Sequence, residues 1–580
     1  MIQSFLKDPS KLSSYSFKQL KELSNQLRLY LYNQHKENNP IYYQSSMDVV
    51  ELIVALFKVF DTTKDHILFD NYEQQILFDL INKKESITTQ SVSNALGYAL
   101  AKDITNKSSS IISVINEESL SSGEVYEALA RIGNSQKKVV LLYIDYQLDK
   151  HNQLNVVSTS FSKIRTSKSY TSLKNDLKSV LSYSKLGNNL LKGLTSVKET
   201  LKDVVIKPSI FDELNIEYLG PIDSKDLKML VGALTLAKNH QGPMVIHAIV
   251  KRKSNETLAL EKELQKAAIT PSKVINAYQM IDEILYPAVL EDESIVVLAS
   301  KEFADSKVSH YLKNQSNRML ILEQANGFAM TLASSFAQEK LKPVVIMDSS
   351  TIEKSAYNLH HELIYKNQNI TLLITNAGIS KKNQNSVFNV YDVGVLMSSS
   401  NFVIAQPKDE KEAQHLIFTA LQYDGPFAIR LSDIMTSYTN ENGLTSLPIG
   451  YWTLEYSHAN VQAIVVCYGE MVSTLVNRAK SNELPIMIVN ARFLKPIDQQ
   501  LLTTLANKNM PIIVYESDSK EGGLYQHIAE FFVESKMNVS LTRVGLTSPY
   551  LNADSTIQLK KVNKIDTNSL IEQIMEVIHE

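Results

Sequence analysis

Apolar residues along this chain gather in short unbroken runs rather than alternating with polar ones. Such runs occupy residues 111–115, 139–144, 244–250, 295–298, 344–347, 370–375, 402–405 and 427–430. Later ones lie at 463–467, 486–489 and 511–515, and 539–544 is a further strand candidate of mixed character. Runs of this length suit strands covered on both faces, as in a parallel sheet. Longer windows with helical spacing, such as 48–60 and 123–132, separate them. Strand–helix alternation over most of the chain predicts an α/β fold with mainly parallel sheets covered by helices.

Two breaks in this pattern suggest boundaries. Residues 251–273 turn polar and charged after a strong strand, and 432–448 form a Ser/Thr/Asn/Gly stretch after Arg430. They divide the chain into segments 1–265, 266–440 and 441–580. Residues 149–208 are rich in Lys, Ser and Leu with helical spacing and no strand, which marks a helical insertion in the first segment.

Composition adds an unusual glycine deficit. The 580 residues hold 18 glycines, and the first is Gly97; average usage would give about 40. A glycine-rich phosphate loop is therefore excluded from the first 96 residues, because such loops need backbone free of Cβ atoms. Lys+Arg 59 against Asp+Glu 62 leaves a net charge of −3, which gives no electrostatic case for nucleic acid or an anionic membrane. Cys467 is the single cysteine, so an intrachain disulfide and cysteine-based metal clusters are excluded. No run of eighteen apolar residues occurs and the N-terminus has no apolar signal core, so a cytoplasmic location is expected.

Several stretches together resemble 1-deoxy-D-xylulose-5-phosphate synthase, a thiamine-diphosphate enzyme of the transketolase superfamily. They include Tyr218-Leu219-Gly220-Pro221-Ile222-Asp223 and the helical window from Val49 to Asp61. Further on come Asp424-Gly425-Pro426-Phe427-Ala428-Ile429-Arg430, Leu447-Pro448-Ile449-Gly450 and Ala491-Arg492-Phe493-Leu494-Lys495-Pro496-Ile497-Asp498. The resemblance runs in unbroken order from about residue 20 to about 550. It implies a diphosphate-binding-type domain over 1–265, a pyrimidine-binding-type domain over 266–440, a transketolase-type C-terminal domain over 441–580, and a homodimer.

The positions that carry the family's chemistry differ. Its Gly-Asp-Gly diphosphate motif corresponds to Asn116-Glu117-Glu118. Glu117 can still ligate a hard cation, but side chains replace both glycines and Glu118 adds negative charge. The family's metal-binding asparagine corresponds to Asp145, so Glu117 and Asp145 are the candidate metal ligands. Three family histidines correspond to Tyr42, Glu73 and Ile87. Ile87 can carry no proton, and Tyr42, with a phenol pKa near ~10, is a poor substitute.

The catalytic glutamate falls on Asn326 when residues are counted back without gaps from Lys342-Pro343. Placing it on Glu323 would need three extra residues inside a helix, which would turn its face by most of a turn. An amide cannot exchange the proton that this family's glutamate shares with the aminopyrimidine. The ring that stacks on that group corresponds to Thr351. At the sugar-phosphate site a tyrosine corresponds to Asp348, and arginines correspond to Lys354, Asn376 and Asp433. The substrate-loop aspartate and histidine correspond to Asn383 and Val387.

These differences lead to the expectation that no cofactor is used and that the chain is a pseudoenzyme with a binding or regulatory role. Two alternatives stand beside it. One is an enzyme with changed, metal-dependent chemistry; the other is an active synthase using thiamine diphosphate and Mg2+.

Overall fold

The β-branched runs fold as central strands because both of their faces find apolar cover. A computed structural model describes residues 2–38, 46–83, 90–146, 210–250, 274–315, 318–322, 326–379, 387–399, 401–432, 436–437, 443–546 and 556–579. The chain divides into two units, Met1–Ile269 and Thr270–Glu580. The insertion expected at 149–208 and the linker at 251–273 lie outside the described residues.

In the first unit the strands are β1 (His66–Phe69), β2 (Ile111–Asn116), β3 (Val140–Asp145), β4 (Glu217–Asp223) and β5 (Met244–Ile249). Their order is β1-β2-β3-β5-β4, and every pair is parallel. Alternate residues of one strand serve opposite cores. Val140, Leu142 and Ile144 join a cluster with Leu52, Leu56 and Leu230, whereas Leu141 and Tyr143 join Leu129, Ile132 and Phe211. That is why these strands read as continuous apolar runs.

The second unit holds a seven-stranded sheet, a five-stranded sheet and a two-stranded ribbon. Its strands are β6 (Val274–Ile275), β7 (Ile295–Ser300), β8 (Met319–Leu322), β9 (Lys342–Asp348), β10 (Ile370–Thr375), β11 (Val403–Ala405), β12 (Pro426–Arg430) and β13 (Thr436–Ser437). They continue with β14 (Thr453–Ser457), β15 (Ala463–Cys467), β16 (Ile486–Asn490), β17 (Phe493–Lys495), β18 (Ile512–Tyr515) and β19 (Leu541–Val544). The larger sheet runs β17-β11-β12-β10-β9-β7-β8 and is parallel except for β17. The smaller runs β14-β16-β15-β18-β19 and is parallel except for β14. The chain is thus α/β with mainly parallel sheets, and each sheet brings its loops together at the carboxyl ends of its strands, where α/β folds place their sites. Among the described residues no helix is long and apolar enough to cross a membrane.

Candidate functional site

The first candidate loop follows β2. Asn116 and Ser119 close it on itself: Asn116 Oδ1 accepts from the Ser119 N–H at 3.1 Å, and the Asn116 N–H donates to Ser119 Oγ at 3.2 Å. Two donors that could face an anion are therefore turned into the loop. Glu117 is buried, and Glu118 leads into a short 3₁₀ turn, Ser119–Ser121, before the helix Gly123–Ser135. Asp145 ends β3, and the register that pairs Asn116 with Ile144 sets Glu117 and Asp145 at adjacent strand ends.

Asp145 has a partner that the sequence reading missed. His247, fully buried in the middle of β5, lies 3.0 Å from Asp145 Oδ2 through Nε2 and 2.6 Å from the Tyr218 hydroxyl through Nδ1. An ionised carboxylate can only accept, so Nε2–H donates to Asp145, and Nδ1 shares a hydrogen bond with the Tyr218 hydroxyl. A histidine inside the apolar run 244–249 was the available signal, because a buried imidazole needs a partner on each nitrogen. Among the described residues no group of three or more His, Cys, Asp or Glu side chains is arranged to hold a metal ion.

The second set of loops lies on the seven-stranded sheet. Asp348 ends β9, and its carboxylate caps the helix Ser349–Lys354, accepting from the Ser350 N–H at 3.0 Å and the Ser350 hydroxyl at 2.6 Å. Asn376, just beyond the adjacent β10, donates from Nδ2 to Asp348 Oδ2 at 2.5 Å. Asn376 adopts a left-handed backbone (φ 55°), a conformation that asparagine tolerates better than most residues. Thr351 is buried and donates from Oγ1 to the Asp348 carbonyl at 2.6 Å, while Lys354 is exposed.

Asn326 caps the helix Gly327–Gln338, its Oδ1 accepting from the Phe328 N–H at 3.1 Å. This is ordinary N-cap chemistry, for which asparagine is among the best residues. Tyr42, Ile87, Glu323, Asn383 and Asp433 lie outside the described residues. Glu73 falls in the helix Tyr72–Asn82 and Val387 opens the turn Val387–Val390, with neither side chain described.

Glu353 also escaped the sequence reading. Its Oε1 is buried without a hydrogen-bond partner among the described residues. Burial first, and then the charge of Asp392, push its carboxyl up to about 7 from an ordinary 4.5, with Lys354 opposing. An acid raised on folding stabilises the fold while protonated, so this contribution is complete below pH 4.5 and is lost as pH rises through about 7. Discounted for its partial exposure, the effect is about 1–2 kcal/mol. Urea midpoints measured at pH 5 and pH 8 should therefore fall with pH more steeply in the parent than in Glu353→Gln. Parallel profiles would disprove the assignment.

Known proteins are similar to this chain over most of its length. The N-terminal model of 1-deoxy-D-xylulose-5-phosphate synthase matches residues 4–89 and 74–250, and the transketolase C-terminal domain model matches 453–565. A 1-deoxy-D-xylulose-5-phosphate synthase of Shouchella clausii is 27% identical, with 96% of this chain and 95% of that protein covered. One from Bacillus cereus is 26% identical, with 99% and 98% covered. A solved transketolase from Campylobacter jejuni aligns over 97% of this chain and 100% of its own at 14% identity and a TM-score of 0.43. The chain belongs to the 1-deoxy-D-xylulose-5-phosphate synthase family of the transketolase superfamily.

Membership corrects one expectation. Absence of a cofactor does not stand, because the matched relatives are 1-deoxy-D-xylulose-5-phosphate synthases, and that family works with thiamine diphosphate and Mg2+. The loop at Asn116–Ser119 nonetheless differs from a glycine cradle, since its side chains form the ring described above and Glu118 adds a carboxylate.

Proposed function

We propose that this protein keeps the family scaffold but does not turn over pyruvate and a triose phosphate, and that it acts as a cytoplasmic, homodimeric binding or regulatory protein. The observation that carries this reading is the Asp348–Asn376 pair at adjacent strand ends. Where the family places phosphate-binding groups, this chain has a carboxylate already held by an amide and a helix N-terminus. Charge-assisted hydrogen bonds are worth about 1.5–3 kcal/mol each. Loss of two removes about two to four decades of affinity, before repulsion from Asp348 is counted. Asn326 supports the same conclusion, because its side chain caps a helix and has no acidic proton to exchange.

The test supplies everything that an active synthase needs. Incubation with pyruvate, glyceraldehyde 3-phosphate, saturating thiamine diphosphate and Mg2+ should release no carbon dioxide above a protein-free control. Turnover within a hundredfold of an active synthase would refute the proposal.

A second reading, metal-dependent chemistry at Glu117 and Asp145, draws on the register that places these two buried carboxylates at neighbouring strand ends. Calorimetric titration of the same preparation with Mg2+ alone separates the two readings.

A further inference from the structure

Away from the strand-end loops, the second unit contains an open cleft of 410 Å³. Its volume lies in the range of small-molecule sites. One wall is the helix Leu524–Glu534, which contributes His527, Glu530, Phe531 and Glu534. The rest of the lining comes from β17 and the turn after it, from Tyr423 and from the segment leading into β11.

Its polar groups are mostly acceptors. The ammonium of Lys495, the cleft's lysine, is tied to the Met397 carbonyl at 2.9 Å and to the Ser399 carbonyl. The Glu530 carboxylate is 65% exposed, with His527 Nδ1 3.7 Å away. Burial first, and then the charge of Lys495, lower the His527 pKa from its ordinary value, with Glu530 opposing. With the His527 ring neutral, Glu530 and Glu534 outweigh Lys495 by one negative charge. Asn401, also on the lining, carries a buried Oδ1 with no donor among the described residues. The apolar part is supplied by Phe531, Tyr423, Ile449 and Pro496, and the two aromatic rings can face a cation.

We propose that this cleft binds a small organic ammonium ion, with its charged head at Glu530 and its apolar body against Phe531 and Tyr423. Nothing in the functional reading above requires this site, and the site does not depend on that reading.

Three probes of one shape separate charge from bulk: benzylamine, benzyl alcohol and benzoate. In thermal-shift titrations of the full chain, benzylamine should raise the midpoint in a saturable way, whereas the alcohol and the acid should not. Glu530→Gln should weaken benzylamine about tenfold, the loss of one charge-assisted hydrogen bond. The side chain is largely exposed, so the variant should fold. Phe531→Ala should weaken benzylamine by a similar factor. Equal shifts from benzylamine and benzyl alcohol, no shift from any probe, or unchanged benzylamine affinity in Glu530→Gln would each overturn the proposal.

Discussion

Arg430→Met should lower the urea midpoint by the equivalent of about 3–5 kcal/mol, the largest single-residue effect expected in the second unit. Arg430 ends β12 and is fully buried, and its guanidinium gives five hydrogen bonds. It meets Asp392 from Nε at 2.9 Å and from Nη2 at 2.9 Å. It meets Asp518 from Nη2 at 2.7 Å and from Nη1 at 3.1 Å, and Gln406 from Nη1. The Tyr468 hydroxyl donates to Asp518 at 2.5 Å. Burial drives the Asp392 carboxyl upward while Arg430 pulls it down, so the pair depends on the cation. Removing the cation alone leaves two buried carboxylates uncompensated. Adding Asp392→Asn and Asp518→Asn to Arg430→Met should therefore recover most of the loss. If Arg430→Met unfolds within about 1 kcal/mol of the parent, the network carries little of the stability assigned to it.

Gly133→Ala should cost about 3 kcal/mol, at the upper end of what overpacking usually does. A Cβ at Gly133 would lie 1.7 Å from the Leu214 carbonyl oxygen and 3.3 Å from Ile216 Cγ1. That oxygen cannot easily give way. The Leu214 N–H is bonded to Ile210 and Phe211, and the next carbonyl, Asn215, accepts from Gln136 Nε2 at 2.9 Å. Gly97→Ala is the control. It sits exposed inside the helix Ser91–Thr105 with nothing within 4 Å of the added carbon, so it should gain roughly 0.5–1 kcal/mol of helix propensity. Hydrogen exchange across the helix Gly123–Ser135 should rise in the first variant and not in the second. Equal stability of the two variants would refute the packing argument.

The central strands were legible because burial on both faces demands unbroken apolar runs. Apart from the edge strand Leu541–Val544, which falls within the run 539–544, several strands at sheet edges or with mixed exposure were not. His66–Phe69 and Met319–Leu322 are only half-buried over most of their length, and Thr453–Ser457 is an edge strand with polar positions. Glu217–Asp223 contains a Gly-Pro pair, which argues against a strand in sequence. The strand-end positions were reached through the family resemblance, and Asn116, Asp145, Asp348 and Asn376 lie at or next to the ends of strands. Their partners could not be reached. His247 is 102 residues from Asp145, and Asp518 is 88 from Arg430, distances over which local pattern carries no information.

The antiparallel pairing of β17 with β11 bears on how this chain can be cut. Residues 493–495 complete an edge that begins with Val403–Ala405, although the two segments are almost ninety positions apart. A fragment ending near residue 440 would lose that cover and present an apolar strand edge with unpaired N–H and C=O groups, which recruits other chains. Recombinant pieces should therefore run through Lys495 and the lobe that carries it, and insoluble shorter pieces would say nothing about the fold of the whole.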